Sequence, residues 1–364
     1  MAKLTEEQKN VIRNIIKDIS NEQIVSLGGY GGTGKTTIIK VLLAAFENKG
    51  LNFFPCAYTG KATNVLRRKG IGYACTIHSA IYEPYRDEND EVYWHLRDKR
   101  SISNEIDGFI VDEASMVSKE IHDDLCSFGL PIIYVGDHGQ LEPIGTDFNL
   151  MKDPKYKLET IHRNAGEIAH FAEHLRKGKP AVLFNCSNKV QIVQHKAVED
   201  KHIVSFDQVV CAFNKTRVEI NERARKEKKI NLSYIAVEDK IICLRNNKSK
   251  GLFNGMQGIV KKIRRNEHFD FVSDGLLYEN IRYNPDQFGQ ETNKYVKDTE
   301  SEIFDYGYCI TCHKAQGDQF NSLIVIEQKC NKWDHARWSY TAASRAINSL
   351  IWVAAESFLP NYLD

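Results

Sequence analysis

A glycine-rich stretch near the start of the chain carries the residue types that bind nucleotide phosphates. It reads Gly29-Tyr30-Gly31-Gly32-Thr33-Gly34-Lys35-Thr36 and matches the pattern G-x-x-x-x-G-K-[ST] in full. Glycines let backbone N–H groups turn inward around phosphate oxygens, and a helix that begins there adds a favourable dipole. Lys35 is predicted to reach the β- and γ-phosphates of ATP, and the Thr36 hydroxyl to bind Mg²⁺. The other nucleotide-binding residues predicted for this loop are Gly32, Thr33, Gly34 and Thr37.

A pair of acids supplies the carboxylates that ATP hydrolysis requires. Asp112 and Glu113 follow the apolar run Phe109–Val111, which predicts a buried strand that ends in acids. Ligands of open α/β sheets bind at the carboxyl ends of the strands, so this pair is expected beside the phosphate loop. Asp112 is predicted to hold Mg²⁺ through water, and Glu113 to orient or deprotonate the attacking water. An acid pair alone is often a turn or a helix cap, but beside a phosphate loop it favours ATP hydrolysis over phosphate binding alone.

The rest of the pattern predicts an α/β fold that positions these motifs. Thr5 and Gln8 predict the capping box of a helix over Leu4–Ile19, and Ile38–Phe46 is typical of a buried helix. Helical stretches alternate with short apolar runs, which are Ile24–Leu27, Asn52–Ala57, Phe109–Val111, Pro131–Val135, Val209–Ala212, Leu323–Ile326 and Leu350–Ala354. This alternation predicts parallel sheets with helices on both faces. The length of 364 residues favours two domains, predicted at 1–150 and 151–364.

Two stretches interrupt the alternation. Residues 82–100 place a polar, acidic turn between aromatic and branched residues, which predicts an exposed β-hairpin. Residues from about 230 to 306 show short strands with Gly and Asn turns, which predicts a small all-β insert. Within the insert, Leu244–Arg265 has seven Lys and Arg residues and no Asp or Glu. This basic run is either a solvated surface or a track for a nucleic-acid backbone, and the second interpretation is favoured.

Composition and charge exclude several classes of protein. There are 49 Lys and Arg residues against 48 Asp and Glu, a net charge of +1, which argues against a protein that is basic all over. Apolar residues make up 42% of the chain, which excludes disorder and fibrous folds, and no apolar run is long enough to span a membrane. The chain has nine cysteines, and its opening residues do not show the pattern of a signal peptide, so reduced thiols and a cytoplasmic location are expected.

One cysteine motif competes for a different function. Cys309-Ile310-Thr311-Cys312-His313 matches the haem attachment pattern C-x-x-C-H. Attachment of that kind requires export, so no haem is expected. A zinc site with Cys309, Cys312 and Cys330 is also disfavoured, because no second close pair of ligands follows.

Four motifs in the order of a known family identify the chain more narrowly. They are Val111-Asp112-Glu113-Ala114-Ser115-Met116, Gly136-Asp137-His138-Gly139-Gln140-Leu141-Glu142-Pro143, Thr311-Cys312-His313-Lys314-Ala315-Gln316-Gly317 and Tyr340-Thr341-Ala342-Ala343-Ser344-Arg345-Ala346. With the phosphate loop they resemble the superfamily 1 helicases, and more closely the RecD-like group and its compact phage relatives, the Dda-like helicases. The resemblance covers nearly the whole chain, from Gln8 to Arg345. It implies two RecA-like domains with ATP in the cleft between them and a small SH3-like insert.

The resemblance also assigns roles around the nucleotide. Gln8 lies where the family reads adenine, since an amide can satisfy both a donor and an acceptor on the base edge. Gln140 would sense the γ-phosphate. Arg163 and Arg345 would stabilise transition-state charge from the second domain, a role worth roughly 10³–10⁵ in rate in related phosphoryl-transfer enzymes. The alternative for Arg163 is a surface salt bridge, and Arg345 is expected on a helix over Trp338–Ala346.

A second set of residues is implied on the nucleic-acid side. The predicted contacts to phosphate, sugar or base are Thr59, Lys61, His78, His313 and Gln316. An isolated Thr or His is usually a helix cap or a satisfied core group, so the motif positions are what support these assignments. Tyr58 stands where the family more often has Pro, which leaves the backbone path there open. The hairpin lies where the group carries its strand-separating pin, for which the predicted residues are Tyr85, Tyr93 and Trp94.

The implied function is an ATP-dependent, Mg²⁺-dependent DNA helicase that moves 5′→3′ on single-stranded DNA and unwinds duplexes at single-strand/double-strand junctions. An RNA-directed helicase, a translocase that does not unwind, and a non-motor P-loop ATPase or kinase remain as alternatives. Replication or recombination proteins and a single-strand-binding protein are candidate partners, in a bacterium or a phage-infected cell. The start of the chain close to Gln8 favours a compact, self-contained motor over a subunit of a large nuclease complex.

Overall fold

The computed structural model describes residues 4–86, 92–141, 148–162, 166–186, 188–194, 197–232, 234–247, 250–292, 301–331 and 333–355. The chain divides into two compact units, with the division between His170 and Phe171. The domain boundary predicted at 150/151 lies too early, because the strand Tyr156–Leu158 still pairs with the sheet of the first unit. None of the helices in the described ranges is long and apolar enough to cross a membrane.

The first unit contains eight described strands and six helices. The strands are β1 (Ile24–Gly29), β2 (Phe53–Ala57), β3 (Cys75–Thr76), β4 (Tyr82–Arg86), β5 (Val92–Leu96), β6 (Gly108–Asp112), β7 (Ile132–Gly136) and β8 (Tyr156–Leu158). The helices are α1 (Glu6–Asp18), α2 (Lys35–Glu47), α3 (Gly60–Arg68), α4 (Ile77–Ile81), α5 (Lys99–Glu105) and α6 (Lys119–Ser127). Six strands form a parallel sheet in the order β3-β2-β6-β7-β1-β8. The other two, β4 and β5, pair with each other as the predicted hairpin, and α5 occupies the end of the predicted 82–100 insert.

Helices cover both faces of this sheet, as its apolar strands require. Successive side chains of a strand point to opposite faces. Accordingly, Ile133 and Val135 of β7 pack in one apolar cluster with α1 and α2, whereas Ile132 and Tyr134 pack in another with α6. The predicted capping box of α1 is confirmed, since Gln8 N–H donates to Thr5 Oγ1 at 3.3 Å and Thr5 N–H donates to Gln8 Oε1 at 3.1 Å.

The second unit combines a parallel sheet with a separate antiparallel sheet. Its helices are α7 (Glu167–Arg176), which spans the division, α8 (Asp200–Ser205), α9 (Asn214–Glu227) and α10 (His335–Ala343). Its strands are β9 (Val190–Gln194), β10 (Gln208–Cys211), β11 (Lys240–Cys243), β12 (Gln257–Arg264), β13 (His268–Ser273), β14 (Leu276–Arg282), β15 (Phe304–Tyr306), β16 (Cys309–Thr311), β17 (Phe320–Ile326) and β18 (Ala346–Ala354). The parallel sheet has the order β16-β10-β17-β18-β9.

The antiparallel sheet is the predicted β insert. Its order is β14-β13-β12-β11-β15, and Phe269, Phe271 and Phe304 lie in its buried core. Two buried ion pairs join it to α9: Arg217 binds Asp305 and Arg225 binds Asp239. The insert is therefore packed against the helix that follows β10.

The helix before Arg345 ends earlier than predicted. A helix was expected over Trp338–Ala346, but α10 ends at Ala343 and Ala346 already begins β18. The reason is that Phe320 N–H donates to Arg345 O at 2.8 Å, where β17 and β18 start to pair. Arg345 consequently lies in the turn between α10 and β18 and not on the helix.

Candidate functional site

Three neighbouring strands of the first sheet end at the predicted nucleotide site. In the sheet β6, β7 and β1 are adjacent, with Val111 opposite Tyr134 and Gly28 opposite Gly136. Since all three strands are parallel, their carboxyl ends lie at one edge. This edge therefore brings together the phosphate loop, the acid pair and the segment 137–140. Ligands of open α/β sheets bind at the same edge, outside the carboxyl ends of the strands.

The phosphate loop has a backbone that requires glycine. Gly32 and Gly34 have φ angles of 82° and 88°, in the left-handed region that glycine adopts without strain. A Cβ atom at Gly34 would lie 2.5 Å from Gln8 Nε2, so a larger residue there would collide with α1. Helix α2 starts directly after Gly34, and no side chain caps its first N–H groups. The loop and the helix N-terminus therefore fit a bound phosphate.

Lys35 holds its ammonium group against the loop. Lys35 Nζ donates to Gly29 O at 2.6 Å and to Tyr30 O at 3.1 Å, and it lies 3.9 Å from Asp137 Oδ2. Asp137 is buried and its Oδ1 accepts the N–H of Gly139 at 2.9 Å. The lysine charge is thus kept beside the phosphate loop by hydrogen bonds that a phosphate group can replace.

Within the acid pair, Asp112 is strongly perturbed by its surroundings. Burial, and next the neighbouring Glu113 charge, raise the pKa of Asp112 to about 6, while Lys35 opposes the shift. Glu113 adopts a left-handed φ of 53°, and its N–H donates to Asp112 Oδ1 at 3.0 Å. Its Oε2 atom is buried and has no hydrogen-bond partner in the described part of the chain. Such an arrangement fits carboxylates that bind a cation and a water.

Other buried polar atoms near the phosphate loop also lack partners among the described residues. They are Gln140 Oε1 and both ring nitrogens of His138, whose ring centroid lies 4.3 Å from that of Tyr30. Buried polar atoms are nearly always hydrogen-bonded, so a cluster of unpaired ones fits a site that takes a polar ligand. His138 was not predicted from the sequence. Its place in the Gly136–Pro143 motif was the signal that could have identified it.

The donor set also fits Mg²⁺ bound together with a nucleotide. The protein ligands predicted for the ion are Thr36 and Asp112. No three His, Cys, Asp or Glu side chains form a metal cluster in the described parts of the chain. Mg²⁺ usually takes one or two protein ligands and completes its shell with water and phosphate oxygens. The site therefore has the ligand type and number that suit this ion.

Gln8 connects α1 with the phosphate loop. Its Nε2 donates to Thr33 O at 3.0 Å and lies 2.8 Å from His162 Nε2, which is itself 3.2 Å from Thr33 O. Gln8 Oε1 is held by the capping box. Adenine reading by Gln8 stays a prediction, and the amide would exchange some of these bonds for the base edge. His162 was missed in the sequence, although it stands directly before Arg163 in its motif.

Of the two predicted arginine fingers, the structure describes only Arg345. Arg163 lies outside the described residues. Arg345 is 2% exposed, and its guanidinium donates to Thr341 O at 3.2 Å, Asp318 O at 3.4 Å and Ser344 Oγ at 3.0 Å. It is held inside the second unit, so a contact with phosphate requires its side chain to leave these partners. Its role in catalysis stays a prediction.

The nucleic-acid residues predicted in the first unit are placed as follows. Thr59 caps α3 and accepts the N–H of Ala62 at 3.1 Å, which is the structural role an isolated threonine often has. His78 lies on α4, with its ring 5.5 Å from that of Tyr82. In the hairpin, Tyr85 is 55% exposed and its ring lies 5.2 Å from that of His95. The structure does not describe the side chains of the other predicted residues, Lys61, Tyr93 and Trp94.

The predicted contacts of the second unit follow strand β16. His313 lies in the turn after β16 with its ring 6.3 Å from that of Trp333, and burial lowers its pKa, which favours the neutral imidazole. Gln316 lies in the same turn, where its N–H donates to His313 O at 3.4 Å. The ring of Phe213, which follows β10, lies 5.6 Å from that of Trp333. These two aromatic residues were not predicted, because nothing in the sequence relates their positions.

The basic run of the β insert is largely compensated by acids from outside it. Lys250 pairs with Glu302 at 2.9 Å, Lys261 with Glu238 at 2.8 Å, and Arg264 with Asp270 at 2.6 Å. Arg245 lies 4.0 Å from Glu302 as well. The sequence interpretation of an unbalanced basic track is therefore corrected for these residues: four of the seven cations face acids brought in by the fold.

Comparison with known proteins places this site in a family. The model of the AAA domain family matches residues 3–198, more than half of the chain, and the UvrD-like helicase C-terminal domain matches residues 306–353. The uncharacterized protein MJ1519 of Methanocaldococcus jannaschii is 26% identical over 100% of this chain and 39% of its own length. The ATP-dependent RecD2 DNA helicase of Deinococcus radiodurans is 25% identical over 94% of this chain and 48% of its own length. The ATP-dependent DNA helicase dda of Enterobacteria phage T4 is 28% identical over 48% of this chain and 43% of its own length.

The chain thus spans less than half the length of these curated relatives. Solved structures extend the likeness to the fold. Bacteroides Pif1 bound to ssDNA has a TM-score of 0.54 at 20% identity and covers 97% of this chain and 93% of its own. A structure of two coordinating Pif1 helicases at forked dsDNA has a TM-score of 0.57 at 20% identity. It covers 97% of this chain and 92% of its own. These comparisons confirm the α/β fold with two RecA-like domains and the resemblance to superfamily 1 helicases.

Proposed function

The chain belongs to the AAA domain family, and we propose that it is an ATP-dependent DNA helicase. It hydrolyses ATP with Mg²⁺ when it is bound to single-stranded DNA, translocates 5′→3′, and unwinds the duplex at a junction. The hairpin of β4 and β5 separates the strands. The protein acts in the cytoplasm of a bacterium or of a phage-infected cell, where a single-strand-binding protein and replication or recombination proteins are its candidate partners.

One observation carries the proposal: Asp112 of the acid pair interacts with Lys35 of the phosphate loop, and the buried Oε2 atom of Glu113 has no partner in the described structure. A protein that only binds phosphate has no need of a second carboxylate at this place. Burial and the neighbouring Glu113 charge raise the pKa of Asp112, so placing two acids side by side works against ionisation of Asp112. The arrangement is therefore explained better by hydrolysis than by binding.

The residues of the site divide the work of hydrolysis. Lys35 turns from Gly29 O and Tyr30 O to the β- and γ-phosphates. Glu113 accepts a proton from the attacking water at its unpaired Oε2, and Gln140 orients that water through its own unpaired Oε1. Thr36 and Asp112 would hold Mg²⁺, which when bound neutralises charge on the phosphate oxygens.

The DNA track and the direction of movement rest on the motifs of the second unit and on the relatives. RecD2 and dda are named DNA helicases, and a UvrD-like helicase C-terminal domain model matches the part of the chain that contains His313, Gln316 and Arg345. The 5′→3′ direction comes from the resemblance to the RecD-like group.

ATPase activity should be measured without nucleic acid, with single-stranded DNA and with single-stranded RNA. Unwinding should then be compared on duplexes with a 5′ or a 3′ tail. We expect stimulation by DNA, unwinding of the 5′-tailed duplex, and loss of both activities in Lys35→Ala with DNA binding retained.

Each other result selects a different function. Stimulation by RNA alone indicates an RNA-directed helicase, and stimulation by DNA without strand separation indicates a translocase. ATPase activity that ignores nucleic acid indicates a non-motor ATPase. Preference for the 3′ tail contradicts the direction, and full unwinding by Lys35→Ala contradicts the mechanism.

A further inference from the structure

A lysine outside all the motifs reaches into the nucleotide site. Lys69 is the C-cap residue that directly follows α3, and its Nζ donates to Thr36 Oγ1 at 3.3 Å. Thr36 is the predicted hydroxyl ligand of Mg²⁺ in the phosphate loop. The ammonium group of Lys69 therefore contacts an oxygen that the metal would use.

The position of Lys69 is fixed by the way α3 ends. Gly70 has a φ of 92°, in the left-handed region, and Ile71 N–H donates to Leu66 O at 3.0 Å across the helix end. Ile71 and Leu66 are both buried, which adds the apolar contact that usually accompanies this type of helix end. The backbone that carries Lys69 is consequently anchored beside the phosphate loop.

The charges around Lys69 are those of the metal site. Asp112 and Glu113 attract the Lys69 ammonium, whereas the cations Lys35 and Lys40 repel it. The Lys69 ammonium thus interacts with the same two carboxylates that are predicted to face Mg²⁺ and water. Without a metal, it adds positive charge beside Asp112, which also interacts with the charge of Lys35.

Lys69 and Mg²⁺ make competing demands on this site. Both are attracted by Asp112, and both would use one of the two lone pairs of Thr36 Oγ1, which would place them side by side. A divalent ion bound to Thr36 would also lie close to the ammonium, and like charges repel. Binding of the ion must therefore displace or repel Lys69.

We propose that Lys69 is a positioning residue that holds Thr36 and balances the acid pair while the site has no metal, and that Mg²⁺ must displace it. The inference rests on the proposed nucleotide site and deepens it, since it assigns a control of metal affinity to a residue that contacts the predicted metal ligand. Lys69 therefore raises the Mg²⁺ concentration that nucleotide binding requires.

The test measures binding, so it needs no turnover. Fluorescent methylanthraniloyl-ADP should be bound to the full chain while Mg²⁺ is titrated, in wild type, Lys69→Met, Lys69→Arg and Lys40→Met. Lys40 is a matched control, because its Nζ lies near Gly70 on the same side of α3 and no contact with Thr36 is described for it. We expect half-saturation at about tenfold less Mg²⁺ in Lys69→Met, within the range of typical couplings between two ligands of one protein. Lys69→Arg and Lys40→Met should resemble wild type.

Two results would overturn the proposal. An unchanged Mg²⁺ requirement in Lys69→Met would show that the ammonium does not compete with the metal. Weaker ADP binding in Lys69→Met at saturating Mg²⁺ would make Lys69 a phosphate ligand instead. Failure of the wild-type protein to bind ADP with Mg²⁺ at all would be a different result, since it would refute the nucleotide site on which the proposal rests.

Discussion

The buried ion pair between α9 and the β insert allows a quantitative prediction of stability. Arg225 is 1% exposed and Asp239 0%, and the guanidinium lies 3.1 Å from Asp239 Oδ1. Arg225 also donates to Leu232 O at 3.2 Å and Asn231 O at 2.8 Å, and it lies 4.1 Å from the centre of the Tyr306 ring. The substitution Arg225→Met keeps the length of the side chain and removes all of these polar contacts.

The cost follows from what Arg225→Met leaves behind. Asp239 would keep only the N–H of Ala236 at 2.8 Å and the hydroxyl of Tyr308 at 3.0 Å as described partners, with its charge buried and unpaired. Removal of one partner of a buried ion pair costs about 3–5 kcal/mol. For a unit of this size, each kcal/mol lowers the melting temperature by about 2–4 °C. We therefore expect the melting temperature to fall by about 6–20 °C.

A second pair on the same helix provides the control. Arg223 binds Asp200, but the two side chains are 31% and 39% exposed, and an exposed pair contributes at most about 1 kcal/mol. Thermal unfolding followed by circular dichroism should show a small change for Arg223→Met and a large one for Arg225→Met. Adding Asp239→Asn to Arg225→Met should recover part of the loss, because it removes the unpaired charge. The reasoning is refuted if Arg225→Met and Arg223→Met melt within about 2 °C of each other.

Three further outcomes concern the nucleotide site and the hairpin. Glu113→Gln should lower kcat of the DNA-stimulated ATPase about 10²–10⁴-fold with ADP binding retained, whereas the exposed Glu120→Gln should change neither. In metal-free protein the pKa of Asp112 is raised from 3.8 to about 6, so the folded form holds this proton more tightly. The free energy of unfolding should then fall by about 3 kcal/mol as the pH rises through this window, and Asp112→Asn should lack this slope in urea titrations. Tyr85→Ala should reduce unwinding but not ATPase activity, while Tyr73→Ala, which is also 55% exposed in wild type, should change neither in the same assays.

Local patterns predicted the elements of the fold because each depends on neighbours in sequence. The capping box of α1 and the glycines before α2 are short-range features, and both are found where the sequence indicates. Apolar runs predicted β1, β2, β6, β7, β10, β17 and β18 because buried parallel strands are apolar throughout. The short strands β3 and β8 lack such a run, since they lie at the edges of the sheet.

Contacts between distant segments could not be predicted in the same way. The basic run of the insert shows seven cations along the chain, but Glu238 and Glu302 lie outside it and reach it only through the fold. Arg345 was expected on a helix because the residues before it are helical, and pairing of β17 with β18 ends that helix earlier. In both cases the deciding partner is remote in sequence.

The same argument explains why the motifs identify the site but not the residues that support it. Lys35, Asp112 and Glu113 can be recognised because their chemistry restricts both residue type and spacing. His162 and Lys69 reach the phosphate loop from segments whose position depends on the whole unit, so their residue types alone indicate nothing. The motifs determine which reaction the site performs. Residues such as Lys69 then adjust how tightly the site binds its metal ion and how the charges of its acids are balanced. We therefore expect differences in metal requirement among proteins with these motifs to originate at positions such as Lys69, outside the motifs.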